Sequence, residues 1–86
     1  MYEVRLERPI IRIVRKLPVP DRQRLLAELE VLRTTPRGLG KKIKKLTNVK
    51  HGYRLRVGDW RVLYLVIEAE KMVTVYAIDR RDKAYK

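Results

Sequence analysis

The chain has 86 residues, of which 45% are hydrophobic, and its 22 basic and 10 acidic residues give a formal net charge of +12. That length fits one small domain, residues 1–86, with a single modest core. Serine and cysteine are absent and histidine occurs once, which excludes a Ser or Cys nucleophile, disulfides and a histidine-rich metal site.

Charge and hydropathy narrow the choice of partner. A large positive charge on a small domain is typical of proteins that bind nucleic acid or another polyanion. No apolar run approaches the roughly 18 residues of a membrane span, and no secretory signal is evident, so we expect a cytoplasmic protein without a membrane partner. The acidic residues are scattered, so we expect no metal site and no small-molecule cofactor.

The N-terminal third predicts a strand followed by two helices. Residues 2–7 alternate apolar and charged side chains, which indicates a strand. Pro9 suits the first turn of a helix that Pro18 ends, and Pro20 opens a second helix. The apolar residues of the second helix lie on one face: Leu25, Leu26, Leu29 and Leu32. We expect this stripe to be core rather than a partner groove, with the helical hairpin covering one side of a sheet.

A basic segment follows the helices at residues 40–46. Its two apolar positions are Ile43 and Leu46, and its four lysines are Lys41, Lys42, Lys44 and Lys45. Given the total charge, we predict that these lysines contact RNA phosphates. Residues 47–52 form a predicted loop that carries His51 as a polar surface residue.

The central stretch, residues 53–64, is a predicted β-hairpin that turns at Gly58 and Asp59. Pairing across that turn puts the apolar residues on one face: Tyr53, Leu55, Val57, Trp60, Val62 and Tyr64. The other face carries Arg54, Arg56 and Arg61 side by side. These like charges repel one another, and a polyanion lying across them would remove the repulsion.

The last predicted strand runs over residues 72–79, after a turn at residues 68–71. If Ile67 pairs with Met72, then Val73, Val75 and Ala77 join the core face. The same register places three residues on the arginine face: Tyr76, Ile78 and Arg80. The expected class is therefore α+β: a twisted, mainly antiparallel sheet of 4–5 strands in the order β-α-α-β-β-β, with the helical hairpin on one face.

These residues resemble the RelE/ParE superfamily of bacterial and archaeal toxins. The resemblance rests on the hairpin Tyr-Arg-x-Arg-Val-Gly-Asp-Trp-Arg-Val-x-Tyr (53–64), the preceding Lys-Lys-x-x-Lys-Leu (41–46) and the terminal Arg-Arg-x-x-x-Tyr (80–85). It covers essentially the whole chain. It implies a type II toxin that cuts mRNA in the ribosomal A site, with a RelB-like acidic antitoxin and the ribosome and mRNA as partners.

By the same resemblance, an RNA-cleaving site would contain five residues: Arg54, Arg56, Arg61, Arg80 (or, in its place, Arg81) and Tyr85. Lys41, Lys42, Lys44, Lys45 and Arg81 would assist RNA or ribosome binding. Attack by the 2′-hydroxyl of the RNA itself needs no enzymic nucleophile, which suits this composition. Arginines can stabilise the phosphorane, and Tyr85 can stack on a base.

The proton-transfer groups stay open at the level of sequence. Arginine is a poor general base because it stays protonated. Asp79 stands where many relatives have a histidine, and it is either a base or, as we favour, the ion-pair partner of a tail arginine. Two other functions remain: a ParE-like toxin that inhibits DNA gyrase, and an inactive relative that only binds RNA or the ribosome.

Overall fold

The structure, a computed structural model, describes residues 1–38, 40 and 42–80. In chain order the elements are β1 (Glu3–Leu6), α1 (Arg8–Lys16), α2 (Val19–Val31), β2 (Ile43–Lys45), β3 (Gly52–Val57), β4 (Trp60–Ile67), a short 3₁₀ helix (Glu68–Glu70) and β5 (Met72–Arg80).

The strands form one five-stranded sheet in the order β1-β5-β4-β3-β2. Only β1 is parallel to its neighbour, β5, and the other three pairings are antiparallel. The predicted α+β class, with a mainly antiparallel sheet and the helical hairpin on one face, is confirmed.

The helices begin and end where the prolines and charges favour it. Both have a proline within their first two positions, where the missing amide costs no hydrogen bond. Helix α1 ends with Arg15 and Lys16, which interact favourably with the helix dipole. Arg22 of α2 donates a hydrogen bond from Nη1 to the Arg15 carbonyl at 3.2 Å, linking the two helices.

The core lies between the helices and one face of the sheet. The helices contribute Ile10, Val14, Leu17, Leu25, Leu29 and Leu32, and the strands contribute Leu55, Val57, Val62, Tyr64, Val66, Val73, Val75 and Ile78. Leu26, which we predicted in the same stripe, is instead 46% exposed. One residue further along a helix turns the side chain by about 100°, so Leu26 cannot share the burial of Leu25.

Tyr64 ties the loop after α2 to the middle of the sheet. Its buried hydroxyl donates a hydrogen bond of 2.6 Å to the Pro36 carbonyl. Burial raises the pKa of Tyr64 well above its ordinary value, so the phenol stays neutral and remains a donor. Its ring stacks on that of Tyr53, with centroids 5.9 Å apart.

The central hairpin has the predicted register. Val57 pairs with Trp60, Arg56 with Arg61, and Leu55 with Val62. Gly58 in the turn has a φ of +58°, a conformation that L side chains adopt at a cost. The basic segment, by contrast, contains a strand that the sequence did not reveal, because β2 has only three residues and two of them are lysines.

The predicted register of β5 is wrong beyond Val75. Tyr64 pairs with Val75 but Leu63 pairs with Ala77, so a β-bulge leaves Tyr76 without a partner. One extra residue exchanges the two faces for the rest of the strand. Ile78 is therefore buried in the core, and Ala77 lies in register with Leu63 rather than with the core residue Val62.

Candidate nucleic-acid interface

The face of the sheet turned away from the helices carries the predicted arginines, and we call it the open face. Its β3 and β4 residues alternate with the core residues of the same strands. The face is lined by Glu3 and Arg5 on β1, Lys44 on β2, Arg54 and Arg56 on β3, Arg61, Leu63, Leu65 and Ile67 on β4, and Met72, Thr74, Ala77 and Asp79 on β5.

Four cations gather at one end of the open face. Arg56 lies directly opposite Arg61, and Arg54 lies directly opposite Lys44 of β2. Directly opposed residues have Cα atoms about 4.5–5.5 Å apart, so these groups share one small area. We call Lys44, Arg54, Arg56 and Arg61 the basic cluster.

One side-chain donor of Arg61 is buried. Its Nε atom is buried and has no hydrogen-bond partner among the described residues. A buried donor left without a partner costs about 1–3 kcal/mol. A catalytic role is one of the reasons for which native proteins keep such a group.

Asp79 joins the same row because of the bulge. It lies directly opposite Arg61, which in turn lies opposite Arg56, so the row across three strands reads Arg-Arg-Asp. The side chain is exposed, and no ion pair within 4 Å joins it to a described residue. We predicted that Asp79 pairs with a tail arginine; the described residues contain no such pair, and one with Arg81 would lie outside them, so that interpretation stays a prediction.

Arg80 does not join the basic cluster. Its partner across the strands is Trp60, so the predicted position on the arginine face is wrong, for the reason that the bulge supplies. The Arg80 guanidinium lies over the Trp60 ring, 5.4 Å from its centroid. Trp60 Nε1 donates a hydrogen bond of 3.3 Å to Asp21 on α2, which fixes the ring from the helix side.

Of the four predicted lysines, the three that the structure describes have different surroundings. Lys44 belongs to the basic cluster, whereas Lys45 is in register with Tyr53 and the core face. The Lys42 ammonium lies 3.1 Å from Glu28 of α2, so that cation is already paired. Lys41, Arg81 and Tyr85 lie outside the described residues, and their roles stay predictions.

A polar network that the sequence did not reveal lies around Glu68, after the far end of β4. Tyr2 donates a hydrogen bond of 2.6 Å to Glu68, and Arg37 donates to the same carboxylate at 3.0 Å. Lys71 contacts the other carboxylate oxygen. Hydrogen bonds from Lys71, Tyr2 and Arg37 lower the pKa of Glu68 to about 2. These residues come from three separate segments of the chain, so no single stretch of sequence marks the network.

Within residues 1–38, 40 and 42–80, no three His, Asp or Glu side chains come together in a way that could hold a metal ion. No helix in that part is both long enough and apolar enough to cross a membrane.

Known proteins are similar to this chain in sequence and in fold. The chain is 29% identical over 86 residues to the protein named "Putative toxin RelE1" of Methanocaldococcus jannaschii, covering 99% of this chain and 96% of that one. It superposes with a TM-score of 0.83 on RelE from the RelE-RelB complex of Pyrococcus horikoshii OT3, at 26% identity over 93% of this chain and 94% of that one. In sequence and in fold the chain is RelE-like.

The resemblance inferred from the motifs is thereby confirmed along the whole chain. The isolated E. coli RelE toxin shares the fold with a TM-score of 0.81 at 22% identity, over 93% of the RelE-like chain and 84% of that structure. No protein-family model matches the sequence.

Proposed function

We propose that this protein is the toxin of a type II toxin–antitoxin system and a ribosome-dependent endoribonuclease that cleaves mRNA in the A site. The observation that carries the proposal is the basic cluster on a sheet face that the helices leave uncovered. The resemblance to RelE supports the same function. The protein would act in the cytoplasm, where the ribosomes are.

The reaction proposed is attack of an mRNA 2′-hydroxyl on the adjacent phosphorus, with departure of the 5′-oxygen. Charge accumulates on the phosphoryl oxygens in the transition state. Arg61 and Arg56, directly opposed across β3 and β4, offer planar pairs of donors that match those oxygens. Each well-aligned donor of this kind is worth about 10²–10³ in rate. None of these steps requires a nucleophile from the protein.

Dependence on the ribosome fits the shape of the site. The described part of the open face is one side of a sheet, and such a face alone does not hold a flexible RNA strand with its 2′-oxygen in line with the phosphorus. The ribosome holds mRNA in a fixed path and would supply that part of the alignment. We therefore expect negligible cleavage of naked RNA.

Translating ribosomes provide the test. Purified protein added to them should produce mRNA ends at A-site codons, and Arg61→Ala should reduce the cleavage rate about 10²–10³-fold. Arg12→Ala is the matched control, because Arg12 is an exposed arginine of α1, on the other side of the sheet. Absence of cuts with the wild-type protein, or equal rates for the wild type and Arg61→Ala, would contradict the proposal.

The proposed partner that restrains this activity is a RelB-like antitoxin with an acidic segment. The structures of RelE-RelB complexes support it, and so do the charge and the apolar surfaces of this chain. Leu63 and Leu65 continue the open face beside the basic cluster. On the helix side, Val4, Leu6, Leu26 and Leu29 line an apolar groove of about 240 Å³ beside the edge strand β1. An acidic partner with apolar anchors could bind both charge and groove.

The partner is tested with the product of a short acidic reading frame next to the gene. It should abolish cleavage at an equimolar ratio and bind the toxin tightly. Leu26→Asn should weaken that binding at least tenfold, since Leu26 is the exposed apolar residue of the groove. Unchanged affinity would show that the antitoxin does not use this groove.

A further inference from the structure

Asp79 is the carboxylate in the row of arginines, and no other described group at this end of the open face can accept a proton. The other carboxylate on the face, Glu3, is in register with Met72 at its far end. Arg54, Arg56 and Arg61 stay protonated in proteins. A lysine ammonium has donors but no acceptor, and Lys44 is the lysine of this cluster. His51 lies in the turn before β3, about 16 Å along the strand from Arg56 at a rise of about 3.3 Å per residue.

Asp79 is also free of the structural pairing that occupies several other carboxylates of the chain. Asp21 accepts from Trp60, Glu28 pairs with Lys42, and Glu30 pairs with Arg33. Asp79, by contrast, has no hydrogen bond or ion pair with a described residue, although it lies directly opposite Arg61. The bulge at Tyr76 alone brings it to this face.

We propose that Asp79 is the general base of the cleavage reaction, which rests on the function proposed above. Its carboxylate takes the proton of the 2′-hydroxyl as the 2′-oxygen forms its bond to phosphorus. The bond from phosphorus to the 5′-oxygen breaks, and the 5′-oxygen takes a proton from water. The products are a 2′,3′-cyclic phosphate and a 5′-hydroxyl, and Asp79 then returns its proton to the solvent.

The position next to Arg61 suits this division of labour. A guanidinium that binds a phosphoryl oxygen brings the adjacent 2′-hydroxyl of the same nucleotide close to its own neighbours on the sheet. The residue directly opposite Arg61 on β5 is then the nearest acceptor. A carboxylate that only balanced the charge of Arg56 and Arg61 would instead oppose the binding of the anionic substrate.

These two roles give opposite results for Asp79→Asn on programmed ribosomes. For a general base, the cleavage rate at saturating protein falls about 10²-fold or more, because that is the usual contribution of a positioned base. The protein concentration that gives half-maximal cleavage does not rise, because the substitution removes a negative charge from an RNA-binding surface. Asp79→Glu, which keeps the carboxylate on a longer side chain, retains a measurable part of the rate.

The matched control is Asp59→Asn, the same change of charge in the hairpin turn, two residues before Arg61. It leaves the maximal rate within about twofold. Asp79→Ser, which removes the carboxylate without introducing an amide, must lose rate like Asp79→Asn; its thermal unfolding checks that the fold is retained.

If the wild-type protein cleaves and Asp79→Asn cleaves at the same rate or faster, this inference is overturned and the proposed function stays intact. A rise in the half-maximal concentration with an unchanged maximal rate would also overturn it. Failure of the wild-type protein to cut any ribosome-bound mRNA would overturn the proposed function, and the inference with it.

Discussion

Tyr64 places a hydroxyl in the core, where the Pro36 carbonyl accepts its hydrogen bond at 2.6 Å. We expect Tyr64→Phe to destabilise the fold by about 1–3 kcal/mol, because the Pro36 carbonyl would be left buried without its donor. Urea denaturation measures the change. Tyr76→Phe is the control, since no described residue bonds to that hydroxyl; an equal loss in the two variants would contradict the assignment.

Glu68 makes the fold sensitive to acid. Its pKa falls from an ordinary 4.5 to about 2 in the folded protein, chiefly through the hydrogen bond from Lys71. A lowered folded pKa means that the stabilisation is complete above about pH 4.5 and is lost as the pH falls towards 2. Urea midpoints measured over that range should therefore converge for the wild type and Glu68→Gln as the pH falls. Glu70→Gln, which removes a neighbouring carboxylate without such bonds, should give a constant difference.

At the scale of elements, the hairpin is the part of the fold that the sequence defines best. Gly58 and Asp59 fix the turn, and the turn fixes every pair along β3 and β4, including Arg56 opposite Arg61. The basic cluster could therefore be predicted before any coordinates. Its fourth member, Lys44, could be predicted as an RNA contact but not as a neighbour of Arg54, because a three-residue strand leaves too short a pattern.

The C-terminal strand could not be predicted in the same way, for a physical reason. Val75, Tyr76, Ala77 and Ile78 are all apolar, so either face could be buried and the alternation that defines a register is missing. No glycine marks the bulge. The sequence alone therefore did not determine which face carries Asp79 and which carries Arg80. An unbroken register put Arg80 on the arginine face, whereas the bulge puts Asp79 there.

The turn itself can be tested with glycine substitutions. Gly58→Ala should cost about 1–2 kcal/mol, because an L residue must adopt the left-handed φ of +58°. The new Cβ would also meet Arg24 Nη1 at 2.9 Å, the end of a flexible side chain that can move. Chemical denaturation measures the loss of stability. A cleavage assay should show a reduced rate as well if the arginines shift.

Gly40→Ala is the matched control for that substitution. A Cβ at Gly40 would meet nothing within 4 Å, and its φ is not in the left-handed region. Its stability should change by no more than about 0.5 kcal/mol. Equal losses at both glycines would show that the turn conformation is not what Gly58 contributes.

For the whole molecule, a net charge of +12 should draw it to RNA at long range, whereas the basic cluster decides where the strand lies. Affinity for a short single-stranded RNA should therefore fall steeply between 50 and 200 mM salt. Arg56→Ala should reduce the slope of log affinity against log salt by about 0.7, the loss of one phosphate contact. Fluorescence anisotropy measures both slopes.

Arg12→Ala removes the same charge from α1, away from the open face. It should lower affinity slightly through the overall potential and leave the slope nearly unchanged. If Arg12→Ala and Arg56→Ala altered the slope equally, the RNA would be bound without preference for the open face.

The unpaired Tyr76 has a consequence for how such a protein can change over evolution. With the bulge kept, deleting one codon before Asp79 would put Arg80 opposite Arg61 in place of the acid, and adding one would put Ile78 there, with no side chain substituted. The chemistry available at this end of the sheet therefore depends on a count of residues as much as on their identity. Sequence alignments that score substitutions alone would overlook such an exchange.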